Sequence, residues 1–344
     1  MKILLLCLVA AVTISGCTST SGPATPQESG LPQAEWDGEP TNIVLAVSRD
    51  LDDMLSDALI DFGQQLYTRT DGYLNLRVEP SISPDAELLT GRAEFALLNK
   101  RHQFEFSPPL ATTATPFLYH GYTNFLMRAN SRGTMGVLEF ALYNSHGLVP
   151  LAAFYQGASH LLIDFPPGGY HQFDGISVLA SPYENSLAAF GRLVGQDGFV
   201  GYSHYDSERL ESFILGEANA VEVSFAAFEN APEDFPETVH LIVSYHELIP
   251  VWLIGNAEFI SGLPPTLRSA IYDLTAMLSN RVSESYRGAE LEMFGELYRF
   301  ENLELVSEFS HVRNRVFNTM PEAEDMAGEQ RLARDLIDIM RRTG

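Results

Sequence analysis

The sequence predicts an α/β fold in two lobes, on three observations. Ile43 to Ser48 is an apolar run too short for a helix, the pattern of a strand buried on both faces of a sheet. Strand and helix patterns then alternate along the chain, the order that builds a mixed sheet covered by helices. About 300 residues follow the leader, more than one hydrophobic core comfortably serves.

The elements follow in order. Lys2, the apolar stretch Ile3 to Ile14 and the small residues Ser15 and Gly16 make residues 1–16 a secretory signal, too short to span a bilayer of about 30 Å. The run Ile14-Ser15-Gly16-Cys17 resembles a bacterial lipobox, which implies that Cys17 carries lipid and that the chain is exported and anchored; Thr18 in place of Asp leans toward the outer membrane. Residues 17–40, rich in Ser, Thr, Gly and Pro, read as a flexible tether.

After the first strand, Leu51, Met54, Leu55, Ala58, Leu59, Phe62 and Leu66 recur at helical spacing, with Asp52 and Asp53 in the first turn and Asp71-Gly72 as the stop. Leu74, Leu76 and Val78 alternate with polar residues as a strand, Asp85 to Leu89 gives a short helix, and Glu94 to Leu98 another buried strand. Helices are expected from Tyr122 to Asn144. A second round begins with strands over Leu148 to Tyr155, Leu161 to Phe165 and Ile176 to Ala180, then a helix to Val194. Strand Phe199 to Tyr202, helix Ser207 to Leu215 and strand Ala220 to Ser224 continue it. Two apolar strands, Val239 to Tyr245 and Val251 to Ile254, return toward the first lobe, and Pro264-Pro265 opens long helices to about Arg299. A last amphipathic helix is expected over Glu322 to Arg342. The lobes are thus expected as 41–147 plus 238–262, and 148–237 plus 263–344 with the C-terminal helices.

Composition excludes several classes. The net charge of −24 repels nucleic acid and anionic lipid headgroups, so membrane attachment falls to the lipid. With Cys7 in the signal and Cys17 lipidated, the folded body has no cysteine for a disulfide, a thiolate metal site or a nucleophile. His246-Glu247 begins like a zinc motif, but Pro250 stands where H-E-x-x-H needs its second histidine, so no metal or cofactor is expected. Nucleophile elbow, P-loop and dinucleotide fingerprint are missing, and no enzymatic activity is expected.

Further residues resemble a known family. Thr70-Asp71-Gly72 before a Leu-x-Leu-x-Val strand, Asp85-x-Glu87, Gly91-x-Ala93-Glu94-Phe95 and Pro116-Phe117-Leu118 come first. Tyr155-Gln156-Gly157, Phe173-Asp174-Gly175-Ile176, Leu215-Gly216 with Asn219 and Glu222, and Asn256 before Leu263-Pro264 follow. Their order, from about residue 43 to 316, is similar to the DctP-type solute receptors of TRAP transporters. The resemblance implies a two-lobed periplasmic binding protein fold with mixed sheets, an interlobe cleft and long C-terminal helices. It also implies a small-molecule solute and TRAP permease subunits as partners.

The resemblance has a departure at its ligand positions. The arginine that in the family forks onto a carboxylate is Leu179 here, a second basic position is Ser159, and an amide position is Val223. The solute is therefore expected not to be held as a simple carboxylate in the usual way. Replacement contacts are sought at strand ends, where α/β sheets place their crevices. Arg49 is a candidate cation or a solvated loop residue, and Asn99 a hydrogen-bonding group or a turn stabiliser. Tyr155, Gln156, Tyr183 and Trp252 supply aromatic or polar lining or pack in the core, and Glu222 orders the hinge. Lys100 and Arg101 make the first-lobe lip locally positive. The expected function is an extracytoplasmic receptor on the periplasmic side, lipid-anchored, delivering a solute to a permease by cleft closure. The alternative is an outer-membrane lipoprotein with a degenerate receptor fold, acting in sensing or protein interaction.

Overall fold

In the computed structural model the described residues are 38–306, apart from 120, 169–172, 204, 230 and 232–233, together with 335–340. The signal, Cys17 and most of the tether lie outside them, as does the last predicted helix except for 335–340, which is helical.

The chain opens with β1 (Thr41–Ser48), α1 (Asp53–Arg69), β2 (Leu74–Ser81), α2 (Pro84–Leu89) and β3 (Phe95–Leu98). α1 forms as its spacing predicts: Asp52 accepts the Leu55 N–H at the N-cap, and Leu55, Leu59, Phe62 and Leu66 face inward. Four helices follow, α3 (Lys100–Phe106), α4 (Pro108–Thr112), α5 (Tyr122–Ala129) and α6 (Arg132–His146), the last stopped by left-handed Gly147. The second half contains β4 (Leu148–Ile163), β5 (Ser177–Ala180), α7 (Glu184–Val194), β6 (Phe199–Tyr202), α8 (Asp206–Ile214) and β7 (Ala220–Ser224). The 23-residue β8 (Asp234–Asn256), α9 (Ala257–Gly262), the 32-residue α10 (Pro265–Glu296) and β9 (Glu301–Val306) complete it.

The strands form one mixed sheet in the order β2-β1-β3-β8-β4-β7-β5-β6, with β9 pairing β8. Parallel trios, β2-β1-β3 and β7-β5-β6, stand at its two ends. Between them β4 and β8 run antiparallel and serve both halves. Leu148 to Tyr155 pair with Asn256 to Pro250 beside the first trio, and Leu161 to Ile163 pair with Ile242 to His240 and with β7 beside the second. The runs predicted as two strands on each side are therefore one strand each. The sequence separates them because the ribbon breaks register between Tyr155 and Ala158, where Gly157 takes φ +124° and the facing strand carries Tyr245 at φ 44°. α3, α4 and β9 were not legible: the helices are only 7 and 5 residues long, below the length at which periodicity is readable.

One sheet face is covered by a continuous apolar cluster reaching from Ala96 and Leu98 through Phe125 and Tyr155 to Val178, Ala180 and Phe190. The opposite face has two clusters. Ile43, Leu45, Phe62 and Ile271 build one under α1 and α10, and Leu210, Phe213, Val221, Val223 and Phe235 build the other under α8. α10 also ties itself to α1 by ion pairs, Arg69 to Asp273 at 3.1 Å and Arg281 to Asp61.

Candidate functional site

Polar side chains from both halves converge where β4 and β8 pass between the trios. β3 is followed by Asn99, whose side chain accepts the His102 N–H and starts α3; this aims Lys100, the first helical residue, across to the second half. Its Nζ lies 3.0 Å from Ser181 Oγ, just after β5, and 3.4 Å from Ser186 Oγ, in the first turn of α7. It also pairs with Glu247 Oε1 on β8 at 2.5 Å and stands 4.5 Å from the centre of the Tyr183 ring. Tyr183 stacks in turn on Phe104 of α3, 4.7 Å between centroids. The two halves thus meet through an ammonium and an aromatic pair.

Glu222 completes the cluster from β7. It is fully buried, accepts the Ser181 N–H at 2.6 Å and the Ser181 hydroxyl at 2.8 Å, and lies 3.4 Å from His246 Nε2. Burial alone would raise its pKa, but hydrogen bonding by His246 and the charge of Lys100 outweigh it and hold Glu222 well below the usual range. Glu247, equally buried, is pushed well above that range, first by burial and then by the Glu222 charge, against the pull of Lys100. Two acids thus share one ammonium, and charge concentrates on Glu222. Burial also pushes the Tyr183 hydroxyl up to about 12.

A second polar group adjoins the first. Arg287 of α10 donates to Tyr245 Oη at 3.1 Å and to Glu290 Oε2 at 2.6 Å, while Tyr155 donates to the same Glu290 oxygen at 2.7 Å. His160 links the groups: its Nδ1 accepts the Tyr245 N–H, its ring stacks 4.1 Å from Phe225, and Tyr245 meets it edge-on. Burial, with the charges of His246 and Arg287, depresses the His160 pKa well below that of a free imidazole. The ring therefore stays neutral when folded, whereas the unfolded chain takes up a proton near pH 6.5. Stability falls as pH drops from there. The wild-type melting temperature is expected to decline more steeply between pH 6.5 and 5 than that of His160→Gln; equal slopes would show that His160 does not titrate on unfolding.

Of the residues predicted from sequence, the structure brings Tyr183 and Glu222 together in this cluster. Ser159 is buried between Ser224 and Glu247 on the neighbouring strands, and Gln156 Nε2 lies 3.4 Å from Tyr286 Oη. The rest take other positions. Leu179 alternates away from Val178 and Ala180 and packs, with Val223, in the apolar cluster under α8. Trp252 is fully buried and donates to Thr113 Oγ1 at 2.9 Å; Tyr155 is buried with its hydroxyl engaged. Asn99 serves as a helix cap, and Arg49 is exposed after β1. The ion pair Lys100–Glu247 was missed because nothing local links its partners, although the single lysine of the body was a visible signal.

No family model matches the chain, and no curated protein matches it. Solved structures match along nearly its whole length. A TRAP periplasmic solute-binding protein from Rhodobacter sphaeroides, in an apo open form, aligns with TM-score 0.74 at 14% identity, over 88% of this chain and 99% of that one. Another from Escherichia fergusonii aligns with TM-score 0.69 at 18% identity, over 87% and 99%. The chain has the TRAP solute-receptor fold. A third relative of that fold, an extracytoplasmic solute receptor from Bordetella pertussis binding pyroglutamic acid, aligns with TM-score 0.63 at 16% identity, over 88% and 100%. Within the TRAP receptor fold of this chain, the Lys100 cluster stands at the junction of the two halves.

Proposed function

We propose that this protein is an extracytoplasmic solute receptor that closes its halves on a small molecule and delivers it to a TRAP-type permease. The observation that carries this reading is the end-to-end match to TRAP solute-binding structures, 87–88% of this chain against 99–100% of theirs. The paired β4–β8 ribbon supports it. Its register break and the positive φ of Gly157 and Tyr245 concentrate bending at one level, between the trios. The solute sits at that junction, reaching Phe104 and the place held by Lys100 from one half and Tyr183, Ser181 and Glu222 from the other. Closure is favoured only by contacts the open form lacks, so contact with both halves is the requirement. Attachment is proposed through lipid on Cys17, on the periplasmic side; among the described residues no helix is long and apolar enough to cross a membrane. Nothing in the fold favours the sensing or scaffolding alternative.

Mass spectrometry of small molecules released from the natively purified protein, followed by calorimetry with the candidates, tests the reading. A solute binding in the micromolar range and weakened at least ten-fold by Tyr183→Ala is expected. No binding across a broad library would overturn the receptor assignment, and binding unaffected by Tyr183→Ala would move the site elsewhere. In the same cells the wild type should partition with membranes and Cys17→Ser should not.

A further inference from the structure

The junction is built as a socket for an ammonium, and the chain fills it with its own side chain. The sequence has two lysines, Lys2 and Lys100, against nineteen arginines, so the group crossing between the halves is a compact cation on a flexible stem where guanidinium is the rule. Every group around its Nζ is an acceptor or an aromatic face: Ser181 Oγ, Ser186 Oγ, Glu247 Oε1 and the Tyr183 ring. Glu222 lies one layer behind, bonded to Ser181. Glu247 is fully buried beside Glu222, with which it interacts, and its second oxygen, Oε2, makes no hydrogen bond of ordinary geometry among the described residues. The socket therefore has acceptor capacity that Lys100 does not use.

This arrangement restricts what can take the place of Lys100. An uncharged solute would leave buried carboxyl groups without their cation, and breaking a buried pair by removing one partner is strongly unfavourable. A carboxylate or phosphate would add like charge beside Glu222, where the charge of the acid pair concentrates. A protonated amine replaces the ammonium group for group, keeps the serine hydroxyls and the Tyr183 face in contact, and brings donors for the second Glu247 oxygen.

We propose that the solute carries a protonated amine that displaces Lys100 from the Ser181–Ser186–Tyr183–Glu247 socket, with Lys100 acting as a resident stand-in that holds the halves together when no solute is bound. The inference rests on the receptor reading above and names the solute class of the same site.

In the mature chain, from which Lys2 leaves with the signal, carbon-13-labelled lysine gives the signal of Lys100 alone, and Lys100→Met confirms it by its loss. Titration with n-butylammonium is expected to move the Lys100 signal saturably toward that of a free lysine. 1-Butanol and butanoate, matched in length, should leave it in place at ten-fold higher concentration. By calorimetry, Lys100→Met should bind n-butylammonium at least ten-fold more tightly than the wild type does, since the competitor is gone. A wild-type Lys100 signal indifferent to n-butylammonium, or one displaced equally well by butanoate, would overturn the proposal whether or not the variant folds. If the library yields an anionic or uncharged solute while n-butylammonium fails, the receptor reading stands and only the amine assignment falls. If no library solute binds, the receptor reading falls with it.

Discussion

Glu222→Ala is expected to lower unfolding free energy by about 3–5 kcal/mol, the range for breaking a buried charge pair from one side. The substitution removes the acceptor of the Ser181 N–H and hydroxyl and the neighbour of His246, and leaves Lys100 beside Glu247 alone. All of these groups are buried or nearly so, and water does not replace the lost acceptor without opening the junction. Glu222→Gln keeps the shape and one carbonyl acceptor and should cost less, about 1–3 kcal/mol. The two variants also separate the charge from the shape. Because the folded Glu222 pKa is depressed, its ionised form contributes at neutral pH, above the unfolded value near 4.3, and the contribution is lost as pH falls through the folded value. The gap between wild type and Glu222→Gln in urea unfolding should therefore shrink below about pH 4. A Glu222→Ala cost under about 1 kcal/mol would mean that the network is not paired and dry.

Trp252→Ala is the other large effect, about 3–5 kcal/mol. Trp252 lies on β8 opposite Leu98 of β3 and Ala153 of β4, fully buried, so its removal leaves a cavity between that sheet face and the helical layer around Thr113 packed on it. Trp252→Phe retains most of the packing, loses the bond to Thr113 and should cost about 1–2 kcal/mol. Thermal and urea unfolding measure both. Loss of solute binding by Trp252→Phe without loss of stability would instead make the indole a ligand contact.

The fold was largely legible, because its strands are the buried apolar runs and its long helices carry clear periodicity. β1, β3 and α1 follow from Ile43 to Ser48, Glu94 to Leu98 and the Leu55–Leu59–Phe62–Leu66 stripe. Continuity across the halves was not, since Gly157 and the polar Ser244 to Glu247 segment read as interruptions while the hydrogen-bond ladder carries on past them. Among the residues that motif order offers as candidates, Tyr183 and Glu222 stand in the Lys100 cluster. Leu179 was misplaced by the same route: the motif gives its position along β5, but the side a residue faces depends on strand alternation, which puts Val178 and Ala180 with the α7 face and Leu179 with α8. Asn99 was visible as a polar strand end, and its role as a cap became clear only with the helix it starts. Lys100 and Glu247 come together only through pairing of β3 with β8, a long-range event that no local pattern encodes.

The length of α10 has a mechanical consequence. At 1.5 Å per residue its 32 residues span about 48 Å, and it packs on α1 of the first half, on β4, and on the short 3₁₀ helix Phe225–Phe228 of the second. Under the proposed cleft closure it would act as the spine of a book whose covers are the two trios, which would swing about that line, since sliding past one another would shear the spine from both. Under the proposed receptor function, closure would be confined to a single angle, the one coordinate that a permease would read.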